Sequence, residues 1–135
     1  MTLSTLVDGL DADLRALDAD IPLVFIGMGA GVARVLGLAD AHLGARKINL
    51  LWSEASSEAR YANQIDSFAQ AGLGRFAFTI RAERLRKDQL VSFLTCEQLD
   101  RAHYIVAGRN PAVSRTRRAL RGLHVPAGRI QSAGI

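Results

Sequence analysis

Leu23-Val24-Phe25-Ile26-Gly27-Met28-Gly29-Ala30-Gly31-Val32 is the stretch that decides the fold. Its first four residues are an unbroken apolar run bounded by Pro22 and Gly27. Such a run suits a strand covered on both faces, as strands of a parallel sheet are. Glycines follow at positions 27, 29 and 31, and Val32, Val35, Leu36 and Ala39 then recur at helical spacing. The stretch reads as strand, glycine turn, helix.

The same alternation continues along the chain. Lys47 to Trp52 reads as a second strand, and Glu58 to Ala71 as a helix that turns Tyr61, Ile65 and Phe68 inward. Phe76, Phe78 and Ile80 alternate as a third strand, and Asp88 to Leu94 suits a short helix. Tyr104 to Ala107 is a fourth strand, and a helix runs from about Pro111 to Leu123, with proline near its start where it costs little. Arg129 to Gln131 adds a last short strand. Strands alternating with helices build βαβ units. The expected fold is therefore α/β: a three-layer open parallel sheet of about five strands with helices on both faces. This domain is expected over residues 21–135. Residues 1–20, with Leu6, Val7, Leu10, Leu14 and Leu17 at helical spacing, read as an N-terminal helix or spacer.

Composition narrows the classes. The 135 residues are 49% apolar and 22% charged, enough for one cored domain and too apolar for a disordered chain. No apolar run approaches the length of a membrane span, and Asp8, Asp11 and Asp13 stand where a signal peptide wants positive charge. The single Cys96 allows no internal disulfide. The reading is a cytoplasmic protein. The net charge of +4 is uneven: residues 1–60 hold 5 basic and 8 acidic side chains, and residues 61–135 hold 12 and 5. The second half is the anion-facing half. Nucleic acid is not the expected anion, because the few aromatics sit in apolar runs and offer no stacking surface.

In an open parallel sheet, ligands bind beyond the carboxyl ends of the strands. Two segments lie there. Gly27, Gly29, Ala30 and Gly31 would present backbone N–H groups at the positive end of a helix, with no Cβ atoms to hold a phosphate off. An ordinary tight turn is the plain alternative. Ala107, Gly108, Arg109 and Asn110 follow the fourth strand and would bring a fixed cation to the same edge. A solvated loop is the alternative there.

Ile26 to Arg34 resembles the "I-A-G-G-T-G-I-A-P" segment of ferredoxin–NADP reductase-like flavoenzymes. Leu50-Leu51-Trp52-Ser53 with Tyr61 is similar to their "L-F-Y-G…L-Y" stretch, Tyr104 to Val113 to "V-Y-L-C-G-P-P-P-M-V", and Gly122 to Ser132 to "L-G-V-P-E-E-R-I-H-S". The resemblance runs from about Leu23 to Ile135. It implies a module that holds NADP or NAD for hydride exchange with a flavin. FAD is expected only through a partner domain or chain, because the flavin half's Arg-x-Tyr-Ser-type motif does not occur in these 135 residues. The resemblance places the pyrophosphate at Gly29, Ala30 and Gly31 and the nicotinamide near Ala107, Gly108 and Arg109. It offers Arg81 and Arg86 as ligands of a 2′-phosphate.

The chain departs from the family pattern within that site. Ala30 replaces Thr, Arg34 and Arg109 replace Pro, Ala107 replaces Cys, and Ala112 replaces Met; Ala133 and Ile135 stand where the family has acidic and aromatic residues. These departures support a second reading, a non-catalytic relative that binds a protein partner or ligand. No catalytic residue is assigned. His42, His103, His124 and Cys96 show no metal-ligand spacing, so no metal is expected. Cys96 reads as a buried small residue, and Arg115, Arg117, Arg118 and Arg121 as a solvated helix face.

Overall fold

A computed structural model describes residues 13–55 and 59–133. β1 spans Leu23–Met28, two residues beyond the apolar run, because Gly27 and Met28 stay in register with both neighbouring strands or one of them. A 3-10 turn over Gly29–Gly31 leads into α1, Val32–Asp40. Then come β2 (Ile48–Ser53), α2 (Ala59–Ala71), β3 (Phe76–Ile80), α3 (Lys87–Phe93), α4 (Cys96–Arg101), β4 (His103–Ala107), α5 (Asn110–Gly122) and β5 (Ile130–Ser132). All pairings are parallel, in the order β3-β2-β1-β4-β5.

The central strands alternate between two cores. Leu23 and Phe25 of β1, Ile48, Leu50 and Trp52 of β2, and Ile105 and Ala107 of β4 face one side, where Val32, Val35, Leu36, Ile65 and Phe68 of α1 and α2 cover them. Val24, Ile26 and Met28, Leu51, and Tyr104 and Val106 face the other, under Leu90 of α3 and Val113 and Leu120 of α5. Every residue of β1, β2 and β4 is buried, which is why these strands read as apolar runs. β3 lies at an edge, and Phe78 there remains 39% exposed. The three-layer expectation holds.

Polar residues inside these layers have partners that single-strand patterning does not reveal. Asn49 on β2 is buried, and its amide donates to the Phe93 carbonyl at 3.0 Å and to Gln98 Oε1 at 3.1 Å. Gln98 belongs to α4, a helix missing from the sequence reading. Its signal is local: Thr95 Oγ1 accepts from the Gln98 amide, and Gln98 Oε1 accepts from the Thr95 amide, a reciprocal cap. Cys96, expected to be buried, is exposed, since it occupies the first residue of this short surface helix. Tyr104 donates to the Gln98 carbonyl at 2.8 Å, and burial pushes its phenol up to about 12.

Residues 13–15 are helical, and Leu14 is fully buried in the α1–α2 core. Residues 1–12, most of the proposed helix or spacer, lie outside the described residues, as do Glu58 and Ile135. No helix among the described residues is long and apolar enough to cross a membrane.

His103 opens β4 and is 8% exposed, with Nε2 buried and unpartnered. Burial holds its imidazole below the ordinary 6.5; the Gln131 side chain is the main opposing influence, and the charges of Arg129, which lowers, and Asp13, which raises, follow. The unfolded chain thus binds a proton that the folded chain resists. Stability from this group is full above pH 6.5 and falls as pH drops toward the depressed folded value. Urea midpoints measured between pH 7.5 and pH 5.5 (roughly one unit either side of the free imidazole) should fall less in His103→Asn than in the wild type. An equal fall in both removes the assignment.

Candidate functional site

The chain runs from β1 to β3 on one side of the sheet, and β4 then returns to the other side of β1. The crevice beyond the carboxyl ends of β1 and β4 is therefore the switch point, where an open α/β sheet can receive a ligand. Gly27 pairs with Ala107 across it, so the two segments singled out in the sequence meet at one rim.

The glycines at this rim have different tasks. A Cβ on Gly27 would lie 2.6 Å from Val32 Cα, so its absence lets α1 start hard against the strand end. A Cβ on Gly31 would lie 2.4 Å from the Ala107 carbonyl oxygen and 2.8 Å from Gly108 Cα. Both positions serve close backbone packing. Gly29 instead has φ +57°, a conformation that side chains disfavour, and its neighbouring space is open apart from the Glu54 carbonyl. The Gly29 carbonyl accepts a 2.9 Å bond from the buried indole N–H of Trp52, which fixes the turn to the end of β2. Trp52 is held in turn by an edge-on contact with Tyr61 at 5.9 Å. Ala30 is exposed. The 3-10 turn already engages the first amide of α1, since Val32 N–H donates back to the Gly29 carbonyl, and the positive end of the helix dipole lies at this turn.

A cavity of about 320 Å³ opens here, lined by Met28, Gly29, Ala30, Glu54, Arg109 and Ala112. Of the residues expected from the sequence, Gly29, Ala30 and Arg109 line it. Gly27, Gly31, Ala107 and Gly108 are buried behind them, and Met28 packs where a Gly108 side chain would be, 3.0 Å from its methyl. Asn110 is exposed at the start of α5. Arg81 and Arg86 are exposed on the segment after β3 and do not line the cavity. The Arg81 guanidinium lies over the Phe93 ring, 5.4 Å from its centre. The Arg86 amide donates to Gln89 Oε1 at 3.1 Å, at the start of α3.

Two site residues were not legible as such. Glu54 follows β2 with φ +51°, and its amide donates to the Glu83 carbonyl at 3.1 Å. Its Oε2 accepts a 3.0 Å ion-pair bond from Arg115 of α5. The available signal was an acidic residue placed immediately beyond a buried strand. Arg115 corrects the reading of a uniformly solvated arginine face. Arg117 also turns back, donating to Ser132 Oγ at 2.8 Å and to the Ile130 carbonyl, while Arg118 and Arg121 are exposed. Met28 is fixed from the same helix by the buried Thr116 hydroxyl, 3.0 Å from its sulfur.

No family model and no curated protein matches the sequence. Solved structures do match. The chain is similar to the cytochrome P450 reductase GcoB of Amycolatopsis, with TM-score 0.70 and 19% identity over 89% of this chain and 39% of that one. It is similar to the flavohem-like FAD/NAD-binding domain of nitric oxide dioxygenase from Vibrio cholerae, with TM-score 0.66 and 14% identity over 88% and 53%. A flavohemoglobin from Malassezia yamatoensis, solved with bound FAD and heme, matches with TM-score 0.60 and 20% identity over 99% and 34%. The chain thus spans between about a third and about half of each of these proteins. At such identities the likeness concerns architecture: the protein has a ferredoxin-reductase-type α/β fold, corresponding to one part of these longer proteins.

Proposed function

We propose that this chain is the nicotinamide-dinucleotide-binding module of a flavin-dependent oxidoreductase, with FAD supplied by another domain or chain. One observation carries the reading: the glycine turn after β1 and the Gly108 segment after β4 close on a single cavity at the switch point. The residues there fit a dinucleotide. The exposed Ala30 and the Gly29 turn suit a pyrophosphate at a helix start, and the exposed Arg109 brings a cation to the same wall. Ala107 and Gly108 lie buried just behind this wall, beneath Met28, at the end where the nicotinamide would sit. When bound, the nicotinamide supplies hydride chemistry; the chain's own residues bind and orient it. Isothermal titration with NADH and NADPH should give saturable heat for at least one, and a flavoprotein added with that nucleotide should become reduced. Absence of binding by both at millimolar concentration defeats the reading. The second reading, a partner-binding relative without catalysis, draws on Ala107, which has no thiol or hydroxyl to offer at the reacting end. Binding of nucleotide without flavoprotein reduction would favour it.

A further inference from the structure

We propose that Met28 gates the nicotinamide end of the crevice: its side chain covers Ala107 and Gly108, so the resting site takes the ADP half of a dinucleotide and admits the other half only when the thioether swings away. The inference rests on the dinucleotide reading above. Met28 ends β1 and is only 5% exposed, yet it lines the cavity. A Cβ on Gly108 would lie 3.0 Å from the Met28 methyl and 3.2 Å from the Met28 Cβ, so the side chain runs across Gly108 from root to tip. Ala107 has no exposed surface, and Gly108 is buried. The cavity reaches Arg109 and Ala112 on this side but neither Ala107 nor Gly108. While Met28 stays in place, the end of β4 offers a planar ring no face to lie on.

This cover is particular to the chain. In the "I-A-G-G-T-G" segment that Ile26 to Gly31 resembles, the third position is glycine, and here it is Met28. A glycine leaves the strand end bare, whereas a methionine covers it. The cover is held from α5, where the buried Thr116 hydroxyl donates to Met28 Sδ at 3.0 Å and Val113 joins the same apolar cluster. The hold is releasable. A thioether sulfur is a weak acceptor, and an unbranched side chain with three rotatable bonds can leave without moving the backbone. The strand end is thus covered in one form and bare in another. A ligand that needs the bare form binds more weakly in proportion to how rarely that form is populated. The ADP half needs only the Gly29 turn and Arg109, which already line the cavity, so it carries no such penalty.

The test is isothermal titration of the whole chain, each dinucleotide against its own half: NADH against ADP-ribose, and NADPH against 2′-phospho-ADP-ribose. Wild type, Met28→Ala and Thr116→Val are compared. In the wild type the dinucleotide should bind no more tightly than its half, because opening offsets what the nicotinamide contacts add. Met28→Ala should raise the ratio of dinucleotide to half affinity by about tenfold, as for a bare form populated about a tenth of the time in the wild type. Thr116→Val keeps the shape of the side chain and removes the donor, and it should raise the ratio by about threefold. A wild-type preference for the dinucleotide of about threefold or more, or a ratio unchanged in Met28→Ala, overturns the inference and leaves the dinucleotide reading standing. Silence of the wild type toward all four ligands overturns both. If Met28→Ala does not fold, Thr116→Val carries the test, and an unchanged ratio there overturns the gate.

Discussion

Gly31→Ala is expected to destabilise the protein by about 3 kcal/mol and to lower its melting temperature by about 10 °C. The reason is geometric. The added methyl would sit 2.4 Å from the Ala107 oxygen, 2.6 Å from the Ala107 carbonyl carbon and 2.8 Å from Gly108 Cα. All three are backbone atoms at the end of a fully buried strand, so no side chain can swing aside. Relief requires the turn after β1 to part from the segment after β4, which pulls apart the walls of the candidate site. Nucleotide binding should therefore weaken along with stability. Two neighbouring glycines sharpen the comparison. Gly29→Ala has nothing closer than 3.7 Å and should cost only the backbone strain of φ +57°, about 1–2 kcal/mol. Gly37→Ala, on the exposed side of α1 with nothing within 4 Å, should stabilise by about 0.5–1 kcal/mol. Thermal melts of the three variants should fall in that order. Equal melting of Gly31→Ala and wild type would show that the close packing of turn and strand end is not there.

Arg46→Met is expected to cost about 3 kcal/mol and to loosen the segment before β1 selectively. Arg46 is 6% exposed. Its guanidinium donates to four carbonyls: Asp18 and Ile21 through one nitrogen, Leu14 at 3.0 Å and Leu17 at 2.6 Å through the other. These groups end the helical stretch at residues 13–15 and form the turns into β1. Methionine fills much of the volume and donates nothing, so carbonyls that lack other donors lose their partner. Arg46→Lys should recover about half of the loss, since an ammonium has three donors and no planar fork to span four acceptors. A urea midpoint measures the cost. Limited proteolysis separates this effect from general unfolding: new cleavage should appear first within residues 13–21. Cleavage spread evenly over the chain would show that Arg46 does not tie this segment down.

How much of this was legible in the sequence depends on how far apart the interacting residues stand. Strand periodicity and glycine turns are local signals. The stretches at Leu23–Ile26, Lys47–Trp52 and Tyr104–Ala107 therefore announced the buried strands, and the helical spacing of Val32, Val35 and Leu36 announced the covering helix. The reciprocal cap at Thr95 and Gln98 was equally local and could have revealed α4. Partnerships across long stretches of chain were not legible. Arg46 reaches 32 residues back to Leu14, Asn49 reaches 44 forward to Phe93, and Arg115 reaches 61 back to Glu54. Each of these reads as an ordinary polar residue until the fold brings its partner near.

By itself, then, the sequence determined the alternation of buried strands and amphipathic helices, and with it a parallel sheet whose candidate site lies after the strands. That follows because hydrophobic period and turn chemistry act between neighbours in the chain. Tertiary structure alone decided which glycines serve packing and which one shapes the turn, and it alone brought Glu54 and Arg115 together at the crevice. The physical reason is that a missing Cβ or a charge acquires its role from the atoms opposite it. Those atoms come from other strands and helices, and only the closed sheet puts them there.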